Sequence, residues 1–225
     1  MLLLVVTQPK KLYTRGEEIF NAVSHIAGGA FAVVAGLIGI YFAAIHNDTY
    51  AVVAMCIYGV CMIIAYTASS IYHFLRPGRA KKVFQIFDHC SIFLLIVGTY
   101  TPFCLILLRN VGAWGWGLLG GLWLLAIIGI TLKGIFLHNR FVRRLGMVIY
   151  LAMGWCALIA IVPILEVLHP VGLWLTLAGG IAYTVGAVFF GFGGRVRYIH
   201  SVWHLFVLTG TVLQYFAILF YVVIV

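Results

Sequence analysis

Residues 199–225 read IHSVWHLFVLTGTVLQYFAILFYVVIV, 27 residues without an Asp, Glu, Lys or Arg. A helix that crosses a bilayer needs about 20 mostly apolar residues, so this stretch predicts a transmembrane span. Its first turn carries two histidines four residues apart, His200 and His204. Working outward, six more segments meet the same criterion, at approximately 20–45, 50–75, 86–108, 113–133, 146–168 and 171–192. The connections between them are short, which favours antiparallel neighbours. The expectation is an all-α membrane protein, one seven-transmembrane-helix bundle over residues 1–225, without repeat, linker or low-complexity tract.

The composition agrees. Of the 225 residues, 64% are hydrophobic and 8% charged, against about 25% charged in soluble domains. Mean hydropathy is +1.15. So few polar groups cannot cover a soluble globule, and disorder, collagen, coiled coil and a disulfide scaffold are excluded on the same grounds. Cys56, Cys61, Cys90, Cys104 and Cys156 all lie in apolar segments and form no CxxC pair. They read as small buried hydrophobes.

The formal charge is +9. In a membrane protein this points to basic cytoplasmic loops rather than to nucleic acid. Lys10, Lys11, Arg15, Arg76, Arg79, Lys81, Lys82, Lys133, Arg140, Arg143, Arg144, Arg195 and Arg197 fall on one side of the seven spans, and only Arg109 on the other. A split of 13 to 1 predicts a cytoplasmic N-terminus and an extracellular C-terminus, with Asp48 and Glu166 outside. The N-terminal MLLLVV is too short to span, and its basic residues follow the apolar run, unlike a signal peptide. A cytoplasmic N-terminus excludes G-protein-coupled receptors and microbial rhodopsins. The last span also lacks the lysine that retinal requires.

Ionisable groups within spans are costly and usually face a partner or a cavity. Here they gather at the end assigned to the cytoplasm: Glu18, Asn21 and His25 in the first span, Ser69 and His73 in the second, Asp88 in the third, His200 and His204 in the seventh. Residues four apart share a helical face, so Ser69 and His73 align, as do His200 and His204. An i, i+4 histidine pair aims two imidazoles at one ion. A third histidine from another helix leaves the fourth position to water, the arrangement of catalytic zinc. Zinc lowers the pKa of such a water to about 7. Asp88 then serves to accept that water's proton, and Ser69 to hydrogen-bond a ligand, the water or a substrate oxygen. HxxxH alone is a weak motif and HExxH is absent. Each histidine taken singly reads better as an interfacial residue capping a helix end; their shared depth with Asp88 and Ser69 favours the metal.

SSIYHFL (69–75), FDHCSIFLLIVGTYTPF (87–103), YLAMGW (150–155), GGIAYTVG (179–186) and RYIHSVWHLFVLTG (197–210) resemble the bacterial hemolysin III family. That family is related to the progestin and adiponectin receptors and, more distantly, to alkaline ceramidases. The resemblance covers nearly the whole chain and rests on S-x3-H, an Asp and H-x3-H. It implies zinc near the cytoplasmic face, held by His73, His200 and His204, with Asp88 and Ser69 as the matching Asp and Ser. The matching Asp of the related receptors is thought to contact water, which favours that role for Asp88 over direct ligation. The long N-terminal soluble region of the eukaryotic receptors has no counterpart.

The functional expectation is a zinc-dependent hydrolase of the cell membrane, acting on a lipid amide or ester, with membrane lipid as substrate or ligand. The alternatives are a non-enzymatic zinc-bound lipid sensor and a cytolytic pore; no span carries the continuous polar stripe that a pore would use. Glu18, Asn21 and His25 share a face by their i, i+3, i+7 spacing, and Glu18 suits the positive end of the helix dipole or a place behind the metal ligands. Pro102, with Thr99 and Thr101, predicts a kink. Gly28, Gly29, Gly179, Gly180 and Tyr183 predict close helix packing. His89, about 100° round the helix from Asp88, is expected to face headgroups or a neighbouring helix. His46, His138 and His169 are expected to be solvated, and Trp114, Trp116 and Trp174 to sit in an outer aromatic belt.

Overall fold

A computed structural model describes residues 13–46, 48–137, 139–192 and 196–224. Lys10, Lys11, His138, Arg195 and the MLLLVV segment lie outside the described residues. Helix α1 spans Arg15–Ile45, α2 Thr49–Phe74, α3 Arg79–Pro102, α4 Trp114–Phe136, α5 Arg140–Gly154, α6 Ile161–Val167, α7 Pro170–Gly191 and α8 Ile199–Ile218. Among the described residues there is no strand, and seven helical stretches are long and apolar enough to cross a membrane. The chain is a multi-pass, all-α membrane protein.

The spans fall where hydropathy put them, but their ends do not. Helix α3 begins at Arg79 rather than 86, and α5 at Arg140 rather than 146. Hydropathy marks only the part a bilayer would cover, whereas caps set where a helix starts. Thr14 and Glu17 form a reciprocal capping box at α1. Asp48 accepts from Tyr50 N–H at α2, and Asn139 from Phe141 and Val142 N–H at α5. Arg79, Lys81, Lys82, Arg140, Arg143 and Arg144 therefore stand on helical turns, not in loops.

The third and fifth spans are irregular. After Pro102 the third continues as a π-helical turn, Phe103–Leu107. Proline lacks the N–H that would bond Gly98 C=O. Just before it, Thr99 and Thr101 return their hydroxyls to Leu95 and Val97 C=O. The fifth span, expected to be continuous, breaks at Trp155 and passes through a 3₁₀ turn, Cys156–Ala160, into α6. Pro163 sits in the first turn of α6, where no intrahelical donor is needed. The Tyr100 phenol bridges the break, donating to Gly154 C=O at 2.8 Å and accepting from Ala157 N–H at 3.0 Å. Side chains must satisfy freed backbone groups where water is absent.

Helix α1 packs on α2, α2 on α3, α3 on α4 and α7 on α8, while α8 closes back onto α1. Small residues permit the closest approaches. A Cβ at Gly59 would lie 3.3 Å from Gly36 Cα, and Gly28 lies directly against the Tyr66 ring. Gly179 meets Gln214 and Gly210, and Gly210 meets Tyr183. Gly180 faces open space instead of a neighbour. Large apolar side chains such as Leu37, Leu124 and Ile159 point outward, as a lipid-facing surface requires.

Lys133, counted above among the loop charges, is buried: its alkyl stem fills the groove left by Gly146, with Nζ 5.5 Å from the centre of the Tyr150 ring. At the opposite end from His73, Asp48 pairs with Arg109 at 3.4 Å, and Tyr50 meets Trp116. Trp114, Trp116 and Trp174 are all exposed there or on the outer surface.

Candidate metal centre

The start of α1, the end of α2, the start of α3 and the start of α8 converge at one end of the bundle. Helix α8 is preceded by Tyr198, whose left-handed backbone (φ 59°) turns the chain into the helix. Glu17 anchors that turn, its Oε1 accepting Tyr198 N–H at 2.8 Å. His200 and His204 follow on the inward face, both buried. His73, in the last turn of α2, meets them: ring centroids lie 5.3 Å from His200 and 4.9 Å from His204. One nitrogen from each of the three rings falls within 4.8 Å of the others. These residues lie close enough to hold a metal ion.

The nitrogens are arranged for one. His200 Nε2 and His204 Nε2 are 3.1 Å apart. Two imidazole nitrogens on one tetrahedral zinc, at about 2.05 Å each, stand about 3.3 Å apart. His73 binds Glu18 through Nδ1, leaving Nε2 buried and without a partner. Among the described residues six buried side-chain nitrogen or oxygen atoms lack a hydrogen-bond partner, and five belong to this cluster: His25 Nδ1 and Nε2, His73 Nε2, His200 Nδ1 and His204 Nδ1. Buried polar atoms are nearly always satisfied, and an ion between the three rings would satisfy His73 Nε2 among these.

Asp88 and Ser69 reach the same place but stay outside the close nitrogen group. Together with His25, His200 and His204 they line a cavity of about 40 Å³, room for a water or two. Ser69 is buried, and the Asp88 side chain is 16% exposed. His89 packs toward Phe190 on α7, as expected for a neighbouring helix, and also borders this cavity. Its Nδ1 bonds Gln85 C=O at 2.8 Å.

Three α1 residues whose roles the sequence left open are now placed. Glu18 sends Oε2 to His73 Nδ1 and Oε1 to Lys81 Nζ, both at 2.7 Å. The helix-start role considered for Glu18 belongs to Glu17. Asn21 is fully buried, with Oδ1 accepting from Ser201 Oγ at 2.6 Å. The His25 ring stacks on His204 with centroids 3.7 Å apart and meets the Tyr66 ring edge-on. Their i, i+3, i+7 spacing was the available signal. Tyr13, just before α1, stacks on His200 with ring centroids 4.8 Å apart and tilts against His73 at 5.9 Å. His46 and His169 are exposed, and His169 caps α7 by accepting Val171 N–H.

Deeper in the bundle lies a second, apolar cavity of about 190 Å³ between α3, α5, α6, α7 and α8. Ile92, Leu95, Phe190, Trp203 and Val207 line both cavities, so the two adjoin.

Comparison with known proteins bears on the same residues. The chain is 45% identical over 206 residues to "Hemolysin-3" of Bacillus cereus, covering 92% of each chain. It is 38% identical over 212 residues to "Hemolysin-3 homolog" of Bacillus subtilis, covering 94% of this chain and 97% of the relative. More distantly, it is 26% identical over 210 residues to the human "Monocyte to macrophage differentiation factor", covering 90% and 83%. A family model described as "Haemolysin-III related" matches residues 13–215, a stretch that holds both the histidine cluster and all seven spans but the very end of the last, and the chain belongs to that family.

Proposed function

We propose that the chain is a zinc-dependent hydrolase of the cell membrane that cleaves a lipid amide or ester at a site facing the cytoplasm. The observation that carries this reading is the three-imidazole cluster, two of whose histidines line a water-sized cavity that adjoins a larger apolar one. His73, His200 and His204 would hold the ion. Zinc so bound supplies Lewis acidity and a water acidic enough to attack near neutral pH. Asp88, on the wall of the small cavity, accepts the proton of the attacking water. Ser69, on the same wall, donates a hydrogen bond to the substrate's carbonyl oxygen. The adjoining apolar cavity shelters the lipid's hydrocarbon and keeps bulk water from the reacting bond. The charge split of the sequence supports the cytoplasmic orientation.

The test is product analysis of membrane lipids incubated with the purified protein, with and without a zinc chelator. The expected result is a fatty acid and its partner fragment, formed only without chelator. A second reading, a zinc-bound lipid sensor without turnover, is favoured by the tightness of the small cavity, about 40 Å³. It predicts lipid binding with no product. A cytolytic pore, the third reading, predicts dye release from vesicles with lipids left intact.

A further inference from the structure

We propose that Glu18 is the positioning residue of this centre. Its carboxylate accepts a hydrogen bond from His73 Nδ1–H and thereby commits the opposite nitrogen, Nε2, to the ion. This rests on the metal reading above and adds to it a residue outside the ligand set.

A neutral imidazole carries one proton, on either nitrogen. His73 is buried, so water cannot even out the choice. Its Nδ1 lies 2.7 Å from Glu18 Oε2. An ionised carboxylate only accepts, so a proton on Nδ1 makes a charge-assisted hydrogen bond. The other tautomer would set two lone pairs against each other and put an N–H where the ion belongs. Asn21 Nδ2 lies 3.5 Å from the same Nδ1 and is the weaker candidate partner. Its Oδ1 is already taken by Ser201 on α8.

Glu18 is itself held. Oε1 accepts from Lys81 Nζ at 2.7 Å, and Lys81 also donates to Leu75 C=O at the end of α2. One carboxylate thus ties α1, α2 and α3 around the His73 ring. Such partners behind a metal-bound histidine typically change metal affinity by about 10–100-fold. Glu166, exposed near the end of α6 and away from the cluster, supplies the control. Glu17 caps α1 and holds Tyr198, and its hydrogen bonds go to Thr14 and Tyr198 rather than to an imidazole.

The experiment measures zinc affinity of the purified full chain by competition with a chromophoric chelator, alongside the visible spectrum of the cobalt-loaded protein. Glu18→Ala is expected to weaken zinc by about 10–100-fold and to shift the cobalt bands, while Glu166→Gln stays at the wild-type value. Glu18→Gln keeps the side chain's shape and carries the same test should Glu18→Ala fail to fold; it is expected to fall between the two. Wild-type affinity in both Glu18 variants overturns the proposal, as does equal weakening in Glu166→Gln. A wild-type chain that binds no zinc overturns the metal reading beneath it, a result distinguishable from either.

Discussion

Zinc removal should destabilise the whole chain by an amount the structure lets one work out. Without an ion, His73 Nε2 is buried and unpartnered, and the Nε2 atoms of His200 and His204 meet each other at 3.1 Å. An ion that binds only the folded chain stabilises it by about 4.1 kcal/mol when present at 1,000 times its dissociation constant. For a chain of this length each kcal/mol moves Tm by about 2–4 °C, so zinc at that excess should raise Tm by about 8–16 °C. The cysteines provide the assay. Cys61, Cys90 and Cys104 are buried and all five thiols are free, so a thiol-reactive fluorogenic dye reports unfolding over the background of the exposed Cys56. Chelator should lower the midpoint by that amount and added zinc should restore it. In a His73→Ala, His200→Ala, His204→Ala triple variant, chelator and zinc should change nothing. A wild-type midpoint indifferent to chelator, or a zinc-dependent rise that survives in the triple variant, refutes the reasoning.

Three further outcomes are expected. Asp88→Asn keeps the side chain's shape and removes the base, so zinc content should survive while hydrolysis falls by about 10²–10⁴-fold; loss of zinc would instead make Asp88 a ligand. A cysteine placed at Arg79 should resist an impermeant thiol reagent added outside intact cells, because the charge split predicts a cytoplasmic place for that end. Gly28→Ala drives a methyl into the Tyr66 ring, whose hydroxyl is tied to Thr211 at 2.7 Å, and should cost about 1–3 kcal/mol, read as a lower Tm.

The number of spans was legible because a bilayer imposes one length on every crossing helix, and seven apolar runs meet it. Their ends were not, because Asp48 and Asn139 start helices by local hydrogen bonds that a hydropathy window cannot register. The break at Trp155 was hidden for a related reason. CALIAIVPIL is apolar throughout, and the group that satisfies the break, Tyr100, lies on a different span. The histidine triad was legible because spacing of four within a helix and equal depth between helices both survive in sequence. The bond from Glu18 to His73 was not, since it joins residues 55 apart and depends on how α1 is rotated against α2. Lys133 looked like a loop charge because its burial depends on the missing side chain of Gly146, on the next helix.

The central claim is that His73, His200 and His204 hold one zinc ion. Elemental analysis of the chain purified without chelator tests it most directly. The account predicts one zinc per chain in the wild type and none in the triple His→Ala variant. Stoichiometric zinc retained by that variant would contradict it.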